Sequence, residues 1–194
     1  MAVNVYGKVC AVFGGSRGIG RAVCKLLASR GGIVVVLSRD SDRAAECVKW
    51  LRRDTCCEQH LSLSCDVGCY TSVQNSLQHI QNNLGHVNVF VNAAGVNYDN
   101  LLLRTKPDEI QGTINTNLLG TMFTSQVVLK RMLRDRYGVI VNIGSVVGMK
   151  GNVGQCVYAA SKSGKINTEK CLNPQWFCAG CSIDYPYTCV GVMM

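Results

Sequence analysis

Short apolar segments alternate along the chain with longer segments in which apolar residues recur at helical spacing. Nearly continuous apolar runs predict five β-strands, at residues 9–13, 33–37, 61–64, 87–91 and 139–143. Continuous rather than alternating apolar character is expected for strands that are covered on both faces. The pattern therefore predicts a sheet that is buried between two layers of helices.

The segments between these strands predict helices at residues 19–29, 41–53, 70–84 and 107 to about 136. Gly85 is a C-cap signal, and Pro107 suits the first turn of a long helix. Alternation of strands and helices predicts a parallel sheet with right-handed crossovers, in the strand order 3-2-1-4-5. Ligands of such sheets bind at the carboxyl ends of the strands, where the strand order reverses between strands 1 and 4.

A glycine-rich turn joins the first strand to the first helix. Its sequence is Gly14-Gly15-Ser16-Arg17-Gly18-Ile19-Gly20. Glycines permit a tight turn and close approach of the backbone to a pyrophosphate, and the helix N-terminus offers N–H groups and a positive dipole end. An ordinary tight turn is the alternative, but the position between a strand and a helix favours a dinucleotide site.

The end of the second strand bears on the choice between NAD and NADP. An acidic residue there would bond a ribose 2′-hydroxyl, whereas basic residues suit a 2′-phosphate. Ser38 occupies the strand tip, Arg39 follows it, and Arg17 projects from the glycine turn into the same region. Asp40 lies one step further, where it could instead begin the next helix. The two guanidiniums favour NADP.

Tyr158 and Lys162 are four residues apart, a spacing that places both on one face of a helix. A phenol donates a proton slowly near neutral pH, and a nearby ammonium makes a phenol a better acid. The pair could therefore act in general acid catalysis. Taken alone, the same pattern is more often part of a surface helix.

Other motifs follow the predicted strands in a consistent order. Asp66-Val67 follows strand 3, Ser145 follows strand 5, and Asn117 lies within the long helix. Strand 4 is followed by Asn92-Ala93-Ala94-Gly95. With the spacing Gly-x-x-x-Gly-x-Gly in the first turn, the set resembles the short-chain dehydrogenase/reductase family. That resemblance implies a Rossmann-type doubly wound fold.

The resemblance implies a role for each motif. Tyr158 would protonate a carbonyl oxygen during hydride transfer, and Lys162 would hold the nicotinamide ribose. Ser145 would polarise the carbonyl, and Asn117 would hold a water of the proton relay. The cofactor-binding positions would be Gly14, Ser16, Arg17, Gly18, Ile19, Gly20, Ser38, Arg39, Asp66, Val67, Asn92, Ala93, Ala94, Gly95, Tyr158 and Lys162.

Within the family, residues 1 to about 164 resemble members that use NADPH to reduce 3-oxoacyl groups on acyl carrier protein in mitochondrial fatty acid synthesis. Such members also reduce quinones. The resemblance implies the mitochondrial matrix, with the cytosol as alternative, and a homo- or hetero-tetramer with another short-chain dehydrogenase. The net charge of +8 would suit an acidic carrier protein. Because the basic residues are dispersed, no nucleic acid is expected, and no apolar run reaches the ~18 residues that would predict a membrane span.

The family pattern stops after about residue 164. We therefore expect an incomplete NADP-binding domain at 1–164, a divergent cysteine-rich tail at 165–194, and a sheet without the last two strands of the family fold. The fifth strand would then be an apolar edge. An alternative function is a catalytically impaired, truncated isoform that only binds cofactor or a partner.

Cysteine is abundant, with 12 residues. Cys10, Cys24 and Cys65 lie in apolar segments and are interpreted as small buried hydrophobes of a reducing compartment. In the tail, Cys178 and Cys181 form a CxxC that could join other cysteines around zinc. Since no second close pair accompanies it, we expect no metal.

Overall fold

The computed structural model describes residues 4–172 together with the backbone of residues 187–192. These residues form an α/β fold in which one parallel sheet carries helices on both faces. The strands are β1 (Val9–Phe13), β2 (Ile33–Ser38), β3 (Leu61–Ser64), β4 (Val87–Asn92), β5 (Gly138–Ile143) and β6 (Tyr187–Val192). The five strands predicted from apolar runs are all present, and each lies within one residue of its expected ends.

The strand order is β3-β2-β1-β4-β5-β6. The predicted order 3-2-1-4-5 is therefore confirmed, and the reversal between β1 and β4 opens the crevice at which such sheets bind ligands. β1 pairs with β2 on one side and with β4 on the other, and all pairings are parallel. The carboxyl ends Phe13, Leu37 and Asn92 consequently lie side by side.

The expectation that the sheet lacks the last two strands of the family fold is wrong for the sixth. β6 pairs in parallel with β5 from Gly138↔Tyr187 to Ile143↔Val192. β5 is thus an inner strand rather than an apolar edge. The sequence of β6 lies in a segment without periodicity, so its pairing depends on a distant strand that offers unpaired backbone groups.

The helices are α1 (Gly18–Ser29), α2 (Ser41–Thr55), α3 (Tyr70–Leu84), α4 (Pro107–Ile114), α5 (Gly120–Asp135), α6 (Val147–Lys150) and α7 (Cys156–Leu172). The long helix predicted from residue 107 is divided. A π-helical segment, Asn115–Leu119, joins α4 to α5. Such wide turns inside helices are frequent at functional sites, and this one contains Asn117.

The core consists of two clusters, one on each face of the sheet. Along β1, Cys10 and Val12 belong to one cluster, whereas Ala11 and Phe13 belong to the other. All four side chains are fully buried. Phe13 also contacts Phe90 edge to face, with ring centroids 5.3 Å apart. Burial on both faces explains why the strands are apolar throughout rather than alternating.

The cysteines of the apolar segments, Cys10, Cys24 and Cys65, are buried as predicted. Within the described residues, no group of His, Cys, Asp or Glu side chains could hold a metal ion. The Cys178–Cys181 motif lies outside the described residues. α7 crosses the predicted boundary at residue 164, and the division of the chain at that point stays a prediction.

No helix in residues 4–172 combines the length and apolar character that crossing a bilayer requires.

Candidate active site

The glycine-rich turn lies at the carboxyl end of β1 and is tied to β2 by hydrogen bonds. Gly14 N–H and Gly15 N–H both donate to Leu37 O, at 2.8 and 3.2 Å. Ser16 Oγ donates to Ser38 Oγ at 2.9 Å. Beneath the turn, the thiols of Cys24 and Cys47 both donate weakly to Gly15 O, at 3.7 Å. The turn is therefore hydrogen-bonded to β2 on one side and to side chains of α1 and α2 on the other.

Two glycines of this turn allow approaches that no side chain would permit. A Cβ on Gly14 would lie 2.6 Å from Ala94 N, and the φ of Gly14 is +77°. A Cβ on Gly20 would lie 2.1 Å from Gly14 O. The backbones of β1, α1 and the segment after β4 are thus packed directly on one another. This is the close packing that dinucleotide-binding turns require.

A cleft of about 440 Å³ opens above the turn, between β1 and β4. Arg17 precedes α1 without capping it with its side chain. Since the first N–H groups of a helix have no intrahelical acceptor, Gly18, Ile19 and Gly20 can offer donors and a positive dipole end to an anion. The backbone around Gly14 and Gly20 forms a cradle that a Cβ would fill, and this cradle lies next to the N-terminus of α1. Such an arrangement suits a dinucleotide pyrophosphate.

Most predicted cofactor-binding residues line this cleft. They are Gly14, Ser16, Arg17, Gly18, Ile19, Gly20, Ser38, Arg39, Val67, Ala93, Ala94 and Gly95. Asp66, Asn92, Tyr158 and Lys162 are not among the lining residues. The Asp66 carboxylate instead accepts from Gly68 N–H at 3.0 Å, and the Asn92 side chain is buried.

Five further residues line the cleft although the sequence motifs did not predict them there: Asp40, Arg43, Cys65, Val96 and Thr116. Asp40 is the N-cap of α2, as one of the two interpretations of this residue held, and its carboxylate accepts from Arg43 N–H at 3.0 Å. The Arg43 guanidinium pairs with the same carboxylate at 3.0 Å. An N-cap at Asp40 places Arg43 in the first turn of α2, where its backbone N–H faces the Asp40 carboxylate.

Lys162 projects from α7 into the carboxyl end of β5. Its ammonium Nζ donates to Ile143 O at 2.9 Å and lies 5.5 Å from the centroid of the Tyr158 ring. The side chain is 5% exposed, and this burial lowers the pKa of Lys162 to about 8. Tyr158 and Lys162 therefore share one face of α7, as their spacing predicts.

Asn117 connects α7 to the segment after β4. Its side-chain amide donates to Val96 O at 2.9 Å and to Ser161 Oγ at 3.0 Å, and its Oδ1 accepts from Val96 N–H at 2.8 Å. Ser161 Oγ in turn donates to Tyr158 O at 2.7 Å. Asn117 thus fixes both the wall of the cleft and the helix that carries the Tyr–Lys pair.

Gly95 marks the point at which these groups meet. A Cβ on Gly95 would lie 3.4 Å from Asn117 Oδ1 and 3.8 Å from Lys162 Nζ. Gly95 also lines the cleft, so the described structure places Lys162 and Asn117 beside the end of the cleft formed by the segment after β4.

Ser145 follows β5 and is buried. Its hydroxyl accepts from Val147 N–H at 3.3 Å, and its carbonyl accepts from Gly148 N–H at 3.0 Å. A Cβ on Gly148 would lie 2.8 Å from the Lys162 carbonyl carbon. The turn that holds Ser145 is therefore packed against α7 at the position of Lys162.

The fold and this site define a doubly wound α/β protein with a glycine-rich turn after its first strand and a Tyr–Lys pair on α7. A family model described as short chain dehydrogenase matches residues 8–183. The chain belongs to the short-chain dehydrogenase/reductase family of oxidoreductases, which confirms the family predicted from the motifs.

Relatives within the family are reductases by name. A Bos taurus 3-oxoacyl-[acyl-carrier-protein] reductase is 50% identical over 165 residues, which cover 85% of this chain and 68% of that protein. Xenopus tropicalis carbonyl reductase family member 4 is 48% identical over 165 residues, with 85% and 67% covered. The chain thus spans about two thirds of the length of these relatives.

The fold also matches a solved structure. A short-chain dehydrogenase/reductase from Burkholderia phymatum, crystallised in complex with NAD, superposes with a TM-score of 0.90 and 24% sequence identity. The match covers 99% of this chain and 66% of the other. At that identity the likeness supports the fold.

Proposed function

We propose that this chain reduces a carbonyl with NADPH, and that its substrate is a 3-oxoacyl group carried by acyl carrier protein. The observation that carries the proposal is the meeting of Lys162, Tyr158 and Asn117 beside the cleft of the glycine-rich turn. The names of the relatives that are 50% and 48% identical support the substrate class. When held by the glycine-rich turn, NADPH would supply a hydride to the carbonyl carbon.

The side chains of this site then have separate tasks. The Tyr158 hydroxyl donates its proton to the carbonyl oxygen, so that the C=O bond becomes C–O–H and the product is an alcohol. Ser145 donates a hydrogen bond to the same oxygen and favours its developing charge. The Lys162 ammonium stabilises the phenolate that remains and binds the ribose of the cofactor. Asn117 holds a water through which Tyr158 regains its proton.

The Tyr158→Phe variant tests this assignment. Turnover of an acetoacetyl thioester, followed by NADPH absorbance, should fall about 1,000-fold because the proton donor is lost. The dissociation constant for NADPH should change much less than turnover, because loss of the hydroxyl removes at most one hydrogen bond to the cofactor. Tyr6→Phe is the matched control, since Tyr6 is 77% exposed.

The same assay separates the two functions expected from the sequence. Robust turnover by the native chain, abolished in Tyr158→Phe, supports a reductase. Binding of NADPH without turnover of either an acetoacetyl thioester or a quinone would instead identify a protein that only binds cofactor or a partner. Equal turnover by native chain and Tyr158→Phe would exclude Tyr158 as the proton donor.

The preference for NADPH rests on the basic residues at the tip of β2. Arg17, Arg39 and Arg43 all line the cleft, and Ser38 is bonded to the glycine-rich turn. Guanidiniums bind a 2′-phosphate through charge-assisted hydrogen bonds. The Asp40 carboxylate, which would oppose a phosphate, is paired with Arg43 and caps α2.

Arg39→Ala should therefore weaken NADPH binding about tenfold and leave NADH binding nearly unchanged. Thermal shift and titration with both dinucleotides measure the two effects. Arg53→Ala is a control at the other end of α2. Tighter binding of NADH than of NADPH by the native chain would contradict the cofactor assignment.

By the same resemblance we propose quinone reduction as a second activity, the mitochondrial matrix as the compartment, and a tetramer with copies of the chain or another short-chain dehydrogenase. Light scattering of the purified chain, alone and mixed with other family members, tests the assembly. A monomer under all conditions would contradict it. Fractionation of cells that express the tagged chain tests the compartment.

A further inference from the structure

α7 carries a second buried lysine, Lys165, which the reaction proposed above does not use. It is 1% exposed, and its ammonium Nζ donates to Asn92 O at 3.0 Å. Lys162 and Lys165 therefore reach the carboxyl ends of neighbouring strands, since Lys162 bonds Ile143 O of β5. Burying an amine is costly unless the amine is hydrogen-bonded. The hydrogen bond from Lys165 to Asn92 O therefore calls for an explanation.

The residue that Lys165 holds is at the centre of a buried polar cluster. Asn92 donates through Nδ2 to Asn142 Oδ1 at 3.0 Å and accepts at Oδ1 from Thr124 Oγ1 at 3.0 Å. Asn92 and Asn142 are register partners of β4 and β5. The side chain and the carbonyl of Asn92 are thus fixed by β5, α5 and α7 together.

The carbonyl of Asn92 belongs to the peptide that leads into the wall of the cleft. Ala93 N–H donates to Phe13 O at 2.9 Å, and Ala93 and Ala94 line the cleft. Gly14 approaches so closely that a Cβ there would lie 2.6 Å from Ala94 N and 2.8 Å from Ala93 C. The glycine-rich turn is therefore packed directly against Ala93 and Ala94, and its position depends on theirs.

We propose that Lys165 is a positioning residue for the cofactor site: its hydrogen bond to Asn92 O holds the end of β4, and through Ala93 and Ala94 it sets the position of the glycine-rich turn. The proposal rests on the proposed function for the identity of the ligand. It assigns no contact between Lys165 and the dinucleotide, because the lysine acts through Asn92.

The surroundings of Lys165 indicate how it can do this in a buried position. Burial is the main reason why the pKa of Lys165 lies well below its ordinary value, and the positive charge of Lys162 lowers it further. Glu169 on the same helix has the opposite effect on that pKa. The side chains that neighbouring elements contribute around this bond are uncharged. They are Asn92 of β4, Asn142 of β5 and Thr124 of α5. A neutral amine retains its N–H donors, so the bond to Asn92 O does not need the charge.

Two substitutions at this position separate the hydrogen bond from packing. Lys165→Met keeps an unbranched side chain without a donor, whereas Lys165→Gln keeps an N–H donor without a charge. Lys170→Met makes the first change at an exposed position of the same helix. The measured quantities are the dissociation constant for NADPH, the melting temperature of the free protein, and amide hydrogen exchange at residues 93–95.

In Lys165→Met we expect NADPH affinity to fall about tenfold, because Asn92 O loses its partner. The melting temperature should change little, since the removal of a buried amine and the loss of the hydrogen bond to Asn92 O have opposite effects on stability. Exchange at residues 93–95 should be faster. Lys165→Gln and Lys170→Met should stay within about threefold of the native affinity.

Native affinity in Lys165→Met, or equal losses in the methionine and glutamine variants, would overturn the proposal. A methionine variant that does not fold would also count against it, because stability is expected to be kept. If the native chain binds neither NADPH nor NADH, the proposed function itself is wrong. If native binding is normal and the methionine variant binds equally well, only the role of Lys165 is wrong.

Discussion

The cleft above the glycine-rich turn and the α7 side of the site are built in different ways. The cleft is formed largely by backbone, and its shape depends on glycines such as Gly14 that leave room for neighbouring chain. The α7 side is formed by buried polar side chains, Asn117, Lys162 and Lys165, that bond backbone groups far away in sequence. Adding an atom should therefore disturb the first region, whereas the second should respond to changes of charge or of hydrogen-bond partner.

The largest effect is expected from adding a methyl group to the backbone region. Gly14→Ala would place Cβ 2.6 Å from Ala94 N at a φ of +77°. The clash and the left-handed backbone together should cost about 4 kcal/mol of unfolding free energy. NADPH binding should be lost with it. Urea denaturation and titration measure both quantities.

Gly7→Ala separates the clash from the backbone strain. Gly7 also has a positive φ, +67°, but among the described residues no atom lies within 4 Å of its added Cβ. The strain alone should cost about 1–2 kcal/mol. A similar loss in both variants would show that the close approach at Gly14 does not matter.

On the α7 side, the largest effect concerns the charge of Lys162, whose pKa burial lowers from 10.5 to about 8. Below pH 8 the ammonium is buried at a cost, and above it the folded protein loses the proton before the unfolded chain does. The contribution of Lys162 to the free energy of unfolding therefore rises as the pH increases from about 8 to 10.5. At ~1.4 kcal/mol for each pKa unit, the full rise is about 3 kcal/mol.

Lys162→Met should accordingly be more stable than the native chain at pH 7, and the difference should shrink as the pH rises towards 10. Denaturation of both proteins at matched pH gives the difference directly, and the ionisation of groups distant from Lys162 cancels. Lys170→Met makes the same change at an exposed position of α7 and is the control. A constant difference for Lys162→Met would disprove the buried ammonium.

A smaller loss is expected from Asn117→Ala. The substitution leaves Val96 N–H, Val96 O and Ser161 Oγ without the partner they have in the native chain, which should cost about 2 kcal/mol. Because Asn117 joins the two regions, amide exchange should become faster at Val96 and around Tyr158 together. Faster exchange at one site alone would mean that the regions are independent.

Asn152→Ala is the control for this prediction. Asn152 is exposed, and its side chain bonds Gln155 Oε1 at 3.1 Å. The loss of such an exposed bond should cost at most about 0.5 kcal/mol.

The smallest effect is expected at the rim of the cleft. Asp40→Ala removes the acceptor that caps α2 and should cost about 1 kcal/mol. The same change releases Arg43, so NADPH affinity should rise about twofold while NADH affinity stays constant. Asp42→Ala, on the exposed first turn of α2, should leave the affinity unchanged. Weaker NADPH binding in Asp40→Ala would show that Arg43 must be held by Asp40.

Much of the fold was predictable because local signals agree with the tertiary structure. Strands buried on both faces require continuous apolar runs, and Gly85 and Pro107 lie at helix ends as expected. The π-helical segment at Asn115–Leu119 was not predictable, because Asn117 in this segment bonds Val96 and Ser161, which are 21 and 44 positions away. β6 was missed because its partner β5 begins 49 positions earlier.

The sequence alone predicted the alternation of strands and helices, the glycine-rich turn and the spacing of Tyr158 and Lys162 on one helix, because each is visible within a short segment. Only the tertiary structure decided that Arg43 lines the cleft, that β6 covers β5, and that Lys165 is buried against Asn92. These features depend on groups that are distant in sequence, and a buried hydrogen bond exists only when the fold brings donor and acceptor together.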